Sequence, residues 1–199
     1  MKRVDMSKHT TESMRLFFAL WPDDATRTAL MHLQAPMQGR KVPYTNLHLT
    51  LAFLGQQPIA VLPQLKDMLA HLSQPDLVLT LDKAGYFPRN RIAWVGPHQA
   101  PVGLISLYQT LCAALAESGI AFTPPSSFKA HVTLARDASL PADMVFNPIT
   151  WHADEVALVQ SITGPGGSEY RVLASSTLTE AARVPGEAIG EQMSGAPSR

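Results

Sequence analysis

A chain of 199 residues that is 46% hydrophobic can bury a sizeable core, so one domain or two small lobes are expected. Its 16 basic and 16 acidic residues cancel to a net charge of +0, which excludes the broad footprint of a non-specific duplex binder but not recognition of one terminal phosphate. The single Cys112 excludes an intrachain disulfide and a cysteine-rich zinc site, and no apolar run approaches the roughly 18 residues of a membrane span.

The opening MKRVDMSKHTTES lacks the apolar stretch of a secretory signal, so a soluble cytoplasmic protein is expected, with residues 1–13 as a flexible tail. Arg15–Trp21 (RLFFALW) then reads as an apolar strand, and Pro22-Asp23-Asp24 opens a helix that stops near Pro36–Gly39. Asn46–Leu54 reads as a strand ending at Gly55, followed by a helix around Ile59–Leu72 with leucines at three- and four-residue steps. Leu77–Tyr86 and Arg91–Val95 form strands around a Pro88-Arg89-Asn90 turn. A long helix over Pro101–Ser118 ends at Gly119, and Cys112 within it reads as a small core residue. Phe128–Ala135, Trp151–Ile162 and Tyr170–Thr179 are the remaining strands; Gly164-Pro165-Gly166-Gly167 reads as a hairpin turn because no helix follows it. Residues 184–199, rich in Gly, Pro and Ser, are expected to be a second flexible tail, leaving one domain over 14–183. The predicted class is α+β: two similar lobes, each a small, mostly antiparallel sheet backed by helices, meeting at a cleft.

Within these strands one phrase occurs twice, His48-Leu49-Thr50-Leu51 and His131-Val132-Thr133-Leu134. Strand side chains alternate faces, so each copy sets an imidazole and a hydroxyl on one face and two apolar residues on the other. With 7 histidines and 14 threonines, chance gives roughly half a match to His-x-Thr, so one copy says little; two copies with the same following leucine say much more. Imidazole titrates near neutrality, so one copy can give a proton while the other takes one. The threonines can donate hydrogen bonds to non-bridging phosphate oxygens. No carboxylate falls in phase beside either histidine, so no metal or other cofactor is expected.

On His48-Leu-Thr-Leu-Ala-Phe-Leu-Gly55 and His131-Val-Thr-Leu-Ala-Arg136, with RLFFAL before them and LTLDKAGYFPRNRIAWVG between, the chain resembles a 2H phosphoesterase. More narrowly it is similar to the bacterial RNA 2′,3′-cyclic phosphodiesterases, also called 2′-5′ RNA ligases. The resemblance spans about residues 15–180 and implies a bilobal, pseudo-twofold fold with the two phrases facing across the cleft. It implies metal-free opening of a terminal 2′,3′-cyclic phosphate to a 2′-phosphate, with 2′-5′ ligation as a family activity. The implied partner is RNA carrying that end, tRNA fragments included, and the implied assembly is a monomer. His48 would then be the proton donor to the leaving 3′ oxygen and His131 the proton acceptor from water, with Thr50 and Thr133 on the phosphate. One local departure is Lys129-Ala130 before the second phrase, where relatives often carry His-Pro.

Other residues are weaker candidates. Arg136 faces away from His131 under strict alternation, and a twist or bulge would turn it towards a phosphate. Lys129 shares the His131 parity and could line the cleft rim. Arg40, Lys41, Arg89 and Arg91 read either as solvated loops or as guides for the rest of an RNA strand, and Tyr170 either as a stacking partner for a base or, the favoured reading, as a packing residue of its strand. Competing functions are a cyclic phosphodiesterase acting on a small nucleotide of the ADP-ribose type, and a binder of RNA ends without turnover.

Overall fold

The computed structural model describes residues 12–73, 76–139, 144–164 and 167–178. In chain order they form β1 (Ser13–Leu20), α1 (Asp24–Gln34), β2 (Arg40–Lys41), β3 (Leu49–Pro58), α2 (Leu62–Ala70), β4 (Val78–Leu81), β5 (Lys83–Phe87) and β6 (Ile92–Gly96). There follow α3 (Val102–Glu117), β7 (Val132–Arg136), β8 (Ile149–His152), β9 (Glu155–Gly164) and β10 (Gly167–Thr177). The class is α+β, as expected. The strands order β10-β9-β1-β3-β7-β6-β5, with β2 also on β7, and β4 pairs with β8 in a second sheet. All these pairings are antiparallel.

The two lobes meet where β3 touches β7, through a single residue pair, Leu49 opposite Val132. These are the second residues of the two repeated phrases. An antiparallel contact between equivalent residues puts a local twofold axis between them, so the sequence repeat becomes a spatial one. Both residues are fully buried. Their neighbours His48, Thr50, His131 and Thr133 therefore all emerge on the opposite face, called here the histidine face.

On the other face lies the core. Leu16, Phe18 and Leu20 of β1 point into it, joined by Leu104, Leu107, Leu111 and Leu115 of α3 at helical spacing. Helix α1 lies on β7 and β8, α2 on β9 and β10, and α3 on β3. Asp23 caps α1 by accepting from the Thr26 amide at 2.6 Å. At its far end, buried Gln34 donates to the Val42 and Leu134 carbonyls, fastening α1 to the exit of β2 and to β7. Cys112 is half-buried, one position off the buried leucine stripe.

Several boundaries differ from the sequence reading for local reasons. The strand expected over 77–86 breaks at Asp82, whose carboxylate takes the His98 amide at 2.6 Å; the part before it leaves to pair with β8. The strand expected over 151–162 likewise breaks at 153–154, where the Ala153 amide donates to the Leu77 carbonyl and the Asp154 carbonyl accepts from Leu178. β3 continues past Gly55, which adopts φ +68° at an irregularity between β1 and β3. Strand β1 starts at Ser13, inside the expected tail. The hairpin from β9 to β10 joins as predicted, although Pro165 and Gly166 lie outside the described residues, as does the expected tail over 184–199.

Candidate active site

Neither histidine lies in its strand; each precedes it by one residue and is fixed by its own backbone. Nδ1 of His48 donates to the Asn46 carbonyl at 2.7 Å, and Nδ1 of His131 donates to the Lys129 carbonyl at 2.7 Å. A carbonyl can only accept, so both rings carry their proton on Nδ1 when neutral and leave Nε2 as the exchanging atom. The same device, a carbonyl two residues upstream, serves both halves. Nε2 of His48 receives the Thr50 hydroxyl at 3.0 Å. Asn46 is itself held by donating through Nδ2 to the Ser168 carbonyl at 2.8 Å, which brings the β9–β10 hairpin to the site.

The surroundings of the two rings differ. His48 sits among Phe17 (4.9 Å), Tyr170 (5.2 Å) and Trp21 (6.0 Å). That desolvation pushes its pKa from 6.5 down to about 4, helped by the positive charges of His131, Arg136 and Arg27 and opposed by the Asn46 carbonyl. His131 contacts Phe87 at 5.1 Å and Trp94 at 6.1 Å. Its pKa is also lowered, by burial first and then by Arg136 and Lys129, against the Lys129 carbonyl. The two imidazoles and Arg136 thus lie within electrostatic reach of one another.

Arg136 reaches the histidine face through a bulge. Ala93 pairs with Ala135 and Trp94 with Thr133, so Leu134 is extra, and Leu134 and Ala135 are both buried. One extra residue inverts the alternation beyond it. The same event occurs in the first half: Phe18 pairs with Ala52 and Ala19 with Thr50, and Leu51 and Ala52 are both buried. The residue that emerges there is Phe53, paired across strands with Phe17, 46% exposed and capped by the Arg15 guanidinium at 4.8 Å. The repeat is therefore six residues long, His-x-Thr-Leu-Ala followed by Phe53 or Arg136. Phe53 is not among the residues expected from the sequence to lie on this face, although identical Leu-Ala pairs precede Phe53 and Arg136.

The remaining candidates take mixed positions. Thr50 and Thr133 are half-buried on the histidine face. Lys129 addresses His131 through its carbonyl, while its ammonium lies 5.7 Å over Phe87. Arg40 pairs across strands with Arg136 and contacts Asp137 at 3.8 Å; Arg91 donates to the Asp137 carbonyl at 3.5 Å. Lys41 turns away and donates to the Ala35 carbonyl. Among the described residues, no three His, Cys, Asp or Glu side chains gather as a metal site, and no helix is long and apolar enough to cross a membrane.

Residues 21–94 match the family model described as "LigT like Phosphoesterase". The chain is 36% identical over 176 residues to the RNA 2′,3′-cyclic phosphodiesterase of Escherichia coli K12, covering 85% of this chain and 99% of that one. It is 35% identical over 196 residues to the protein of that name from Thermus thermophilus, covering 87% and 98%. The crystal structure of E. coli LigT complexed with 3′-AMP matches with a TM-score of 0.72 at 36% identity, over 85% of this chain and 99% of that chain. Two matched histidine phrases about a local twofold, on a fold and a sequence shared over most of the chain, place this protein in the LigT-like phosphoesterase family of the 2H superfamily.

Proposed function

We propose that this protein hydrolyses the terminal 2′,3′-cyclic phosphate of RNA to a 2′-phosphate, using its own side chains for every proton transfer. The observation that carries the reading is the pair of Nδ1-anchored imidazoles offering Nε2 on one face, with Thr50, Thr133 and Arg136 on the same face. Water attacks phosphorus and gives its proton to Nε2 of His131. The bond from phosphorus to the 3′ oxygen breaks, and that oxygen takes the proton from Nε2 of His48. Arg136 and the two threonine hydroxyls bear the charge of the transition state, and solvent then resets both rings. Attack by a 5′-hydroxyl in place of water would give a 2′-5′ linkage at the same site.

The acid must be charged before it can act, yet burial keeps His48 neutral at pH 7 without ligand. The phosphate reverses this: a bound anion favours imidazolium, so the substrate loads its own acid. The exposed Phe53 ring on the same face suits the terminal base, since stacking accepts any base. The E. coli relative named RNA 2′,3′-cyclic phosphodiesterase, together with the crystal structure of E. coli LigT complexed with 3′-AMP, supports RNA ends as the substrate class.

The test is a short RNA ending in a 2′,3′-cyclic phosphate, run against mononucleotide cyclic phosphates and with EDTA present. Rapid conversion of the RNA to a 2′-phosphate is expected, with His48→Ala and His131→Ala each slowing turnover on the order of 10²–10⁴-fold. Full activity in either variant, or loss with EDTA, would refute the mechanism; a 3′-phosphate product would reverse the leaving group. Tight binding without product would leave the binder of RNA ends as the function.

A further inference from the structure

Behind His48 lies a buried cation that the proposed chemistry does not use. Arg27, in the first turns of α1, is 5% exposed, and its guanidinium lies against the Trp21 ring at 4.9 Å and the Tyr44 ring at 5.6 Å. Its Nε donates to the Pro22 carbonyl at 2.8 Å and its Nη1 to the Tyr44 carbonyl at 2.7 Å. It makes no ion pair among the described residues. A guanidinium held by two carbonyls and ring faces is costly to bury, which a purely structural position would avoid with an apolar side chain of similar volume.

Two routes run from Arg27 to one imidazole. Through the Tyr44 carbonyl it ties α1 to the short turn Tyr44–Asn46, whose last carbonyl accepts the hydrogen bond from Nδ1 of His48. Through Trp21 it backs the ring stacked on His48 at 25°. We propose that Arg27 is a positioning residue for His48: it holds the Asn46 carbonyl and the Trp21 ring against the imidazole, so that Nε2 is always the atom that exchanges a proton with substrate. This rests on the reading of His48 as a proton carrier.

The charge of Arg27 acts as well as its reach. Asp23 and Asp24 of α1, Glu155 of β9 and Tyr44 of the turn face the guanidinium. Arg136 and His131, from the other lobe, face His48 together with Arg27, and all three oppose the imidazolium. Tyr170 of β10 lies edge-on to the His48 ring at 5.2 Å. Arg27 also lines a cavity of about 620 Å³ beside Trp21 and Tyr170, but Asp23, Asp24 and Glu155 line it too and would repel a phosphate there.

The experiment is ¹⁵N imidazole NMR across pH on ligand-free wild type, Arg27→Met and Arg27→Lys, with kcat and KM for the cyclic-phosphate RNA. The wild type should show His48 as the Nδ1-protonated tautomer with a depressed titration midpoint. In Arg27→Met the tautomers should mix, with His131 unchanged and kcat about tenfold lower at similar KM. Arg27→Lys keeps the charge but not the two-carbonyl reach, so the tautomer preference should weaken and, with the Asn46 carbonyl held less firmly against Nδ1, the midpoint should fall rather than rise. A folded Arg27→Met with the wild-type tautomer would overturn the proposal. So would a raised KM at unchanged kcat, which would mean direct contact with substrate. If Arg27→Met does not fold, Arg27→Lys decides: wild-type tautomer with wild-type kcat overturns it. The NMR readout needs no turnover, so failure of the substrate assay alone would strike the proposed function and not this role.

Discussion

Replacing His48 by asparagine should make the protein less sensitive to acid. The ring is packed against Phe17, Trp21 and Tyr170, and this burial moves its pKa from 6.5 to about 4. At about 1.4 kcal/mol per pH unit, protonating it in the folded state costs ~3 kcal/mol more than in the unfolded chain. Between these two values the unfolded chain holds the proton and the folded one does not, so stability rises with pH. The contribution is fully present above pH 6.5 and lost as pH falls towards 4. In His48→Asn the new side chain does not titrate, and its amide can still donate to the Asn46 carbonyl. Urea unfolding from about pH 4 to 8 should therefore show the wild type losing ~3 kcal/mol more than the variant over that window. His131, also depressed, is common to both proteins and drops out of the difference. Parallel stability curves would show that His48 is not desolvated, and would leave the loading of the acid by substrate without a basis.

Arg136→Lys should lose most activity despite keeping its charge, because a guanidinium presents a planar fork to a phosphate and an ammonium does not; steady-state kinetics should place the loss, about 10²-fold, mainly in kcat. Phe53→Ala should raise KM for the RNA end about tenfold, while a cyclic phosphate lacking a base should be hydrolysed as before, which competition kinetics would reveal. Gly85→Ala should be costly, since its Cβ would overlap the Trp94 ring that packs on His131; thermal unfolding should show a loss of about 1–3 kcal/mol, with turnover falling alongside.

Much of the site was legible because it rests on local rules. The alternation of His48-Leu49-Thr50 and His131-Val132-Thr133 placed four polar groups on one face, and the antiparallel contact at Leu49 and Val132 does so. Phe53 was not legible, and Arg136 only as one of two options, because an inserted residue changes parity without changing composition. The consecutive buried pairs Leu51-Ala52 and Leu134-Ala135 look in sequence like ordinary apolar residues. Arg27 was invisible for a different reason: in α1 it looks like any solvent-facing arginine, and only the return of the turn over 44–46 and of β9 buries it.

The amino-acid sequence by itself determined the helices, most of the strand segments, the α+β class and the two imidazoles with their hydroxyls, since period-two and helical patterns are properties of neighbouring residues; where a strand breaks and changes sheet, at Asp82 and at 153–154, was decided by tertiary contacts. The tertiary structure alone decided how unlike the two halves are. One histidine is enclosed by aromatic rings from β1 and β10, and the other lies against Phe87 and Trp94 beside Arg136 and Lys129. Proton affinity depends on charge and solvent within a few ångströms, and those neighbours come from distant parts of the chain.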